Sequence, residues 1–158
     1  NAELATVRRD VLAVPRDPAA VRAEVASMRQ RWRAERDRSD EQQFDLKQGL
    51  GGLLDIEFAL QGLVLAHAAR QPALLGVTAN AGLIEACRVA GVLDDDQAAT
   101  LAAAHAGLLQ RALACTLDLR SRIAPRDAAL EQLRAGVRGV TDALGFAFAA
   151  DAEPPPQG

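Results

Sequence analysis

The sequence predicts an all-α fold, a helical bundle of about five to six helices, mostly antiparallel. Three observations carry this. Apolar residues recur at steps of three and four along most of the chain, and no stretch alternates with period two. Alanine is abundant and tyrosine absent, a composition that suits helices better than sheets. Helix punctuation recurs as well: "RDP" precedes one apolar pattern, Gly91 follows another and Pro125 a third. The 158 residues, 49% of them hydrophobic, suffice for one core. Residues 1–150 are read as a single bundle domain and 151–158 as a disordered tail, where "AEPPPQG" has nothing to bury.

A short first helix spans about Ala2 to Leu12, with Leu4, Val7 and Val11 on one face. "VPRDP" breaks it. Asp17 reads as the N-cap of a second helix and Pro18 as its first-turn proline. That helix runs to about Arg38 and places Val21, Val25, Met28 and Trp32 at helical spacing. Its arginine cluster, "RQRWRAERDR", is diluted by Glu35 and Asp37 and reads as a solvated face rather than a phosphate-binding stripe. After the polar break "SDEQQ", "FDLK" reads as a short extended piece.

A glycine-rich turn then opens a third helix, about Leu53 to Ala69. It is apolar nearly all round and is therefore expected at the centre of the bundle. Its small residues Ala59, Gly62 and Ala66 form a line along which another helix or domain could approach. "RQPALLG" is a loop with a turn. Thr78 is expected to cap a fourth helix that stops at Gly91, and Asp94 or Asp95 a fifth that reaches about Arg122 before Pro125. A sixth begins at Asp127 and carries Leu130, Leu133, Val137, Val140, Leu144 and Phe148.

Several function classes are excluded or disfavoured. A net charge of −3 argues against a nucleic-acid binder. No apolar run reaches the ~18 residues of a membrane span, and no signal peptide is seen. Cys87 and Cys115 lack metal-ligand spacing and read as buried thiols in a reducing compartment, so a cytoplasmic location is expected. His67 and His105 sit among apolar neighbours, and His67 reads as a core histidine. There is no Glu-x-x-His pair, no Cys-x-x-Cys and no P-loop. No catalytic residue and no metal ligand is assigned within the chain. It opens on Asn1 rather than Met, so it is expected to be a fragment of something longer.

One stretch carries chemistry: "FDLKQGLGGLLDIEF", Phe44 to Phe58. Lys47 is the only lysine among 18 lysine and arginine residues. Gly49, Gly51 and Gly52 follow it at a helix start, where amide groups without internal partners and the helix dipole attract anions. A lysine reaches a phosphate as a flexible point charge. Lys47 and the glycines thus fit part of a triphosphate site. The plainer alternative stands beside it: the glycines only allow a tight turn, Asp55 stabilises the first helical turn, and Glu57 and Gln61 form a solvated stripe.

The same stretch, continuing to "QGLVLAHAARQPALLG", resembles the helical region after the nucleotidyltransferase core in the glutamine synthetase adenylyltransferase/adenylyl-removing family. PII uridylyltransferases share the Lys-x-x-x-Gly-Gly-x-x-Asp-Ile core. The likeness extends upstream through "RDPAAVRAEVASMRQRW" and downstream through "TANAGLIEACRVAGVL", roughly Thr6 to Arg122, and is closer to the C-terminal, adenylylating half. The resemblance implies a parent enzyme that transfers AMP from ATP, with Mg2+, to a tyrosine of glutamine synthetase. Its other half removes that AMP by phosphorolysis, under control of PII protein and glutamine.

It implies that the catalytic carboxylates lie in an upstream nucleotidyltransferase domain outside this chain. The fragment alone would then be inactive, with no tightly bound cofactor. Carried over by position, Lys47, Gly49, Gly51, Gly52, Asp55 and Glu57 face the cleft between the two domains. Lys47 would contact the nucleotide phosphates, while Asp55 and Glu57 orient Lys47 or an arginine of the core. The chain departs from the family at Ala79, Gly82 and Val77, where aspartate, arginine and tryptophan are usual, and at "ALACTLDL" in the long helix. A non-catalytic docking module for glutamine synthetase or PII protein is the alternative.

Overall fold

The computed structural model describes residues 2–151, so all but Asp151 of the expected tail lies outside the described residues. It contains α1 (Ala2–Leu12), α2 (Pro18–Arg36), α3 (Leu53–His67), α4 (Asn80–Val89), α5 (Asp95–Leu117) and α6 (Ala128–Ala143). A 3-10 turn occupies Pro72–Gly76, and two short strands, β1 (Gln43–Asp45) and β2 (Ile123–Pro125), pair antiparallel. The predicted all-α bundle is the observed architecture, with this small sheet added.

α3 is central, as its all-round apolarity requires. It packs against α2, α4, α5 and α6 and buries Ile56, Ala59, Leu60, Leu63 and Val64. α5 and α6 close the other side with Leu101, Leu108, Leu130 and Val137 fully buried. Each such aliphatic side chain contributes about 1.5–3 kcal/mol on burial. α1 stands apart: none of its residues is buried, and its expected apolar face, Leu4, Val7 and Val11, is exposed.

The caps explain where the helices begin. Asp17 accepts hydrogen bonds from the Ala19 and Ala20 amides, and Asp127 from the Leu130 amide. Asp94 forms a reciprocal capping box with Gln97. The fourth helix is the exception. Its N-cap is Ala79 rather than Thr78, and no side chain caps it.

The helix ends share one device. After α4, α5 and α6 a residue with positive φ turns the chain, and two amides beyond the helix bond back to its last carbonyls. Gly91 and Gly145 serve α4 and α6. α5 uses Leu119, at φ 55, and therefore stops at Leu117 rather than Arg122. The residues freed from the expected helix become β2. Likewise α6 stops at Ala143, short of Phe148, because Gly145 turns the chain.

Phe146 and Phe148 then stack on each other at 5.2 Å and are buried. Phe146 lies against Gly62, where an added Cβ would come within 2.8 Å of its ring. At Gly62 the small-residue line of α3 is thus covered by this chain's own Val25 and Phe146; Ala59 is buried as well, and Ala66 is partly exposed. His67 is half-buried rather than in the core. Burial, followed by the charges of Arg22 and Arg70, lowers its pKa.

α2 corrects the solvated-arginine reading. Of its expected apolar stripe, Met28 and Trp32 are partly exposed, while Arg29 is completely buried. Arg33 donates to the carbonyls of Phe148 and Ala150. Arg36 lies over the Trp32 ring, 4.4 Å from its centroid. Two of the cluster's arginines therefore hold the fold together.

Candidate functional site

The turn between β1 and α3 is built by its own backbone. Asp45, at the end of β1, accepts from the Lys47 and Gln48 amides and bends the chain out of the strand. The Gly49 amide donates to the Asp45 carbonyl, and Gly52 to Gly49. Leu53 and Leu54, the first residues of α3, donate to the carbonyls of Leu46 and Lys47. The amides of Gly52, Leu53 and Leu54, expected to be open at this helix start, are therefore engaged within the turn.

Glycine is required here by space. A Cβ on Gly52 would come within 2.8 Å of the Leu46 and Gly49 carbonyl oxygens, and one on Gly49 would strike the Phe44 ring. Gly51 has φ +82, and a Cβ there would meet the Arg134 carbonyl of α6 at 2.8 Å. Arg134 completes the clasp: its Nε donates to the Leu50 carbonyl, and its guanidinium lies 4.1 Å from the Phe44 ring centroid.

The six residues singled out from the sequence divide into two groups. Gly49, Gly51, Gly52 and Asp55 are buried. Lys47 and Glu57 are exposed. Asp55 accepts from the Gly51 amide at 2.7 Å and from Arg29 Nε at 2.6 Å. Arg29 also donates to the Gln48 carbonyl at 2.5 Å. The arginine that Asp55 orients is thus this chain's own, not one from another domain. Burial pushes the Asp55 carboxyl upward, against the pull of Arg29 and the Gly51 amide. Among the described residues, Arg29 Nη1 and Gln48 Oε1 are buried without a hydrogen-bond partner.

Lys47 opens onto a groove of about 430 Å³, lined also by Arg36, Arg38, Asp45, Gln48 and Arg122. The strand pairing makes this groove. β1 and β2 are joined in register Phe44↔Ala124, and the Leu46 amide donates to the Arg122 carbonyl. Arg122 and Arg38 were not singled out from the sequence. Arg122 was placed inside a helix, and Arg38 in a solvated cluster. Arg29 was missed because an arginine at helical spacing reads as surface unless a buried carboxylate awaits it. Among the described residues no group of three His, Cys, Asp or Glu side chains could hold a metal ion.

Comparison with known proteins sets this geometry in context. A family model described as GlnD PII-uridylyltransferase matches residues 19–152, which include the whole turn and groove. The bifunctional glutamine synthetase adenylyltransferase/adenylyl-removing enzyme of Stenotrophomonas maltophilia (strain K279a) is 45% identical over 148 residues, 94% of this chain and 16% of its own length. The enzyme of the same name from Xanthomonas oryzae pv. oryzae (strain MAFF 311018) is 48% identical over 130 residues, 82% of this chain and 14% of its own. That of Burkholderia mallei (strain ATCC 23344) is 35% identical over 134 residues, 84% of this chain and 14% of its own. The chain therefore spans about a sixth of the length of these relatives.

Proposed function

We propose, for a chain that belongs to the GlnD PII-uridylyltransferase family, that it is the helical partner of a nucleotidyltransferase domain and completes one side of its ATP cleft. The chain is homologous to a segment of glutamine synthetase adenylyltransferases. On this reading the parent protein moves AMP onto a tyrosine of glutamine synthetase in nitrogen regulation, with PII protein as a regulatory partner. ATP supplies the adenylyl group: the tyrosine oxygen bonds to the α-phosphorus and pyrophosphate leaves.

The observation that carries the reading is the exposure of Lys47 on a turn whose other parts are locked inward. The turn resists displacement, so the ammonium group is presented from a fixed base. Gly49, Gly51, Gly52 and Asp55 act through the shape of the turn, and Lys47 meets a phosphate. Glu57, two residues beyond Asp55 and on the outer side of α3, faces the adjoining domain on this reading. The groove's cations fit a phosphate chain. On this reading Mg2+ is held by the other domain. Among the described residues no helix is long and apolar enough to cross a membrane.

The test is AMP transfer from labelled ATP to glutamine synthetase by the full-length enzyme, with and without Lys47→Ala. A loss of ten-fold or more, with unchanged thermal unfolding, is expected. Unchanged transfer would overturn the reading.

A docking role has its own observation. Leu109, Leu113 and Leu117 lie four apart on α5 and are 40%, 55% and 83% exposed. If this stripe meets glutamine synthetase, Leu113→Lys raises KM for that protein and leaves KM for ATP alone.

A further inference from the structure

We propose that the groove beside Lys47 is a polyphosphate-binding site that this chain forms by itself, with Arg38 and Arg122 as phosphate ligands. The proposal rests on the reading of Lys47 as a phosphate contact and extends it to residues that neither the sequence motif nor the comparisons assign.

Four cations line the groove: Arg36, Arg38, Lys47 and Arg122. Among the described residues none of the four has a carboxylate oxygen within 4.0 Å of its charged side-chain nitrogens, although the backbone amides of Lys47 and Arg38 donate to Asp45. The acidic residues of the lining are Glu35, Asp37 and Asp45. Two of these already hold other donors. Asp37 accepts from the Ser39 amide and hydroxyl at 2.9 and 2.6 Å. Asp45 accepts from the amides of Lys47 and Gln48. Neutral donors do not cancel a carboxylate's charge, so the lining sets four cations against three carboxylates, an excess of one. The groove thus carries an excess of cation in a chain whose net charge is −3.

The arrangement suits a phosphate chain better than a single carboxylate. Arginine forks pair with phosphate oxygens two at a time, and several forks around one space match a ligand that carries several anionic groups. The Arg36 guanidinium is preset by its stacking on Trp32, and the Arg122 backbone is fixed beside the groove by the hydrogen bond from the Leu46 amide. About 430 Å³ holds a triphosphate with room to spare. The two walls come from distant parts of the sequence, 35–48 and 121–123, and the strand pairing fixes their separation.

The probe is inorganic triphosphate, titrated calorimetrically at low salt into this 158-residue chain, whose core is closed by its own residues. Saturable one-to-one binding is expected. Arg38→Ala and Arg122→Ala should each weaken it five-fold or more, Arg122→Lys should recover only part of the loss, and Arg138→Ala on exposed α6 should leave it unchanged. Circular dichroism melts confirm that each variant is folded. No saturable binding, or equal weakening by Arg138→Ala and Arg122→Ala, would overturn the proposal. AMP transfer by the full-length Lys47→Ala enzyme is independent of this outcome, so the groove can fail while the Lys47 reading stands.

Discussion

Arg29 and Asp55 form an ion pair of 2.6 Å with both side chains wholly withdrawn from solvent. The pair joins α2 to the first turn of α3, and each partner reaches on to the loop: Asp55 to the Gly51 amide, Arg29 to the Gln48 carbonyl. A single cross-brace thereby anchors residues 48–51, the part of the turn that follows Lys47. Removal of one partner strands a buried charge, which typically costs about 3–5 kcal/mol. Asp55→Ala and Arg29→Ala are each expected to destabilise by that amount in urea unfolding. The double variant should lose clearly less than the sum, because neither charge is then left alone. Additive losses would mean that the two act independently.

Gly51 is held at φ +82 against the backbone of α6. Gly51→Ala is expected to cost about 2 kcal/mol or more, since the conformation and the contact both oppose a side chain. Gly139, in α6 with open space around it, supplies the contrast: Gly139→Ala should stabilise by about 0.5–1 kcal/mol through helix propensity. Chemical denaturation of the two variants side by side reads the difference.

Leu119 is 96% exposed and holds a left-handed backbone conformation. It gains nothing from burial and bears a steric cost of about 1–2 kcal/mol. Leu119→Gly is therefore expected to raise stability by about 0.5–1 kcal/mol after allowance for the freer unfolded chain. A lower melting temperature would show that the turn is held differently.

His67 binds its proton less readily in the folded chain than its ordinary value of 6.5. Below that pH the unfolded state takes up the extra proton, so stability is intact above about pH 6.5 and declines as the pH falls. His67→Gln should flatten that part of the melting-temperature profile. The Cys87 thiol titrates far from this window, because burial lifts it to about 11.

Much of the fold was legible because it follows from local rules. Asp17, Asp94 and Asp127 announce their helices, and the all-round apolarity of α3 announces its central position. What was hidden depends on residues acting out of type. A leucine occupies the turning position at which glycine ends α4 and α6, so the stop at Leu117 carried no signal and β2 with it. An arginine takes a core position because an aspartate 26 residues away neutralises it. At the site, the motif located the turn and its lysine. The inward role of the glycines, and the arrival of Arg122 at the same groove, depend on tertiary contacts that no local pattern encodes.

The three-residue ladder between β1 and β2 has a consequence for the order of assembly. It closes a loop that includes α3, α4 and α5, and such non-local closures come late because chain entropy opposes them until other contacts are in place. Neither residues 35–48 nor residues 121–123 alone make a groove, so the site exists only where the tertiary structure holds both walls together.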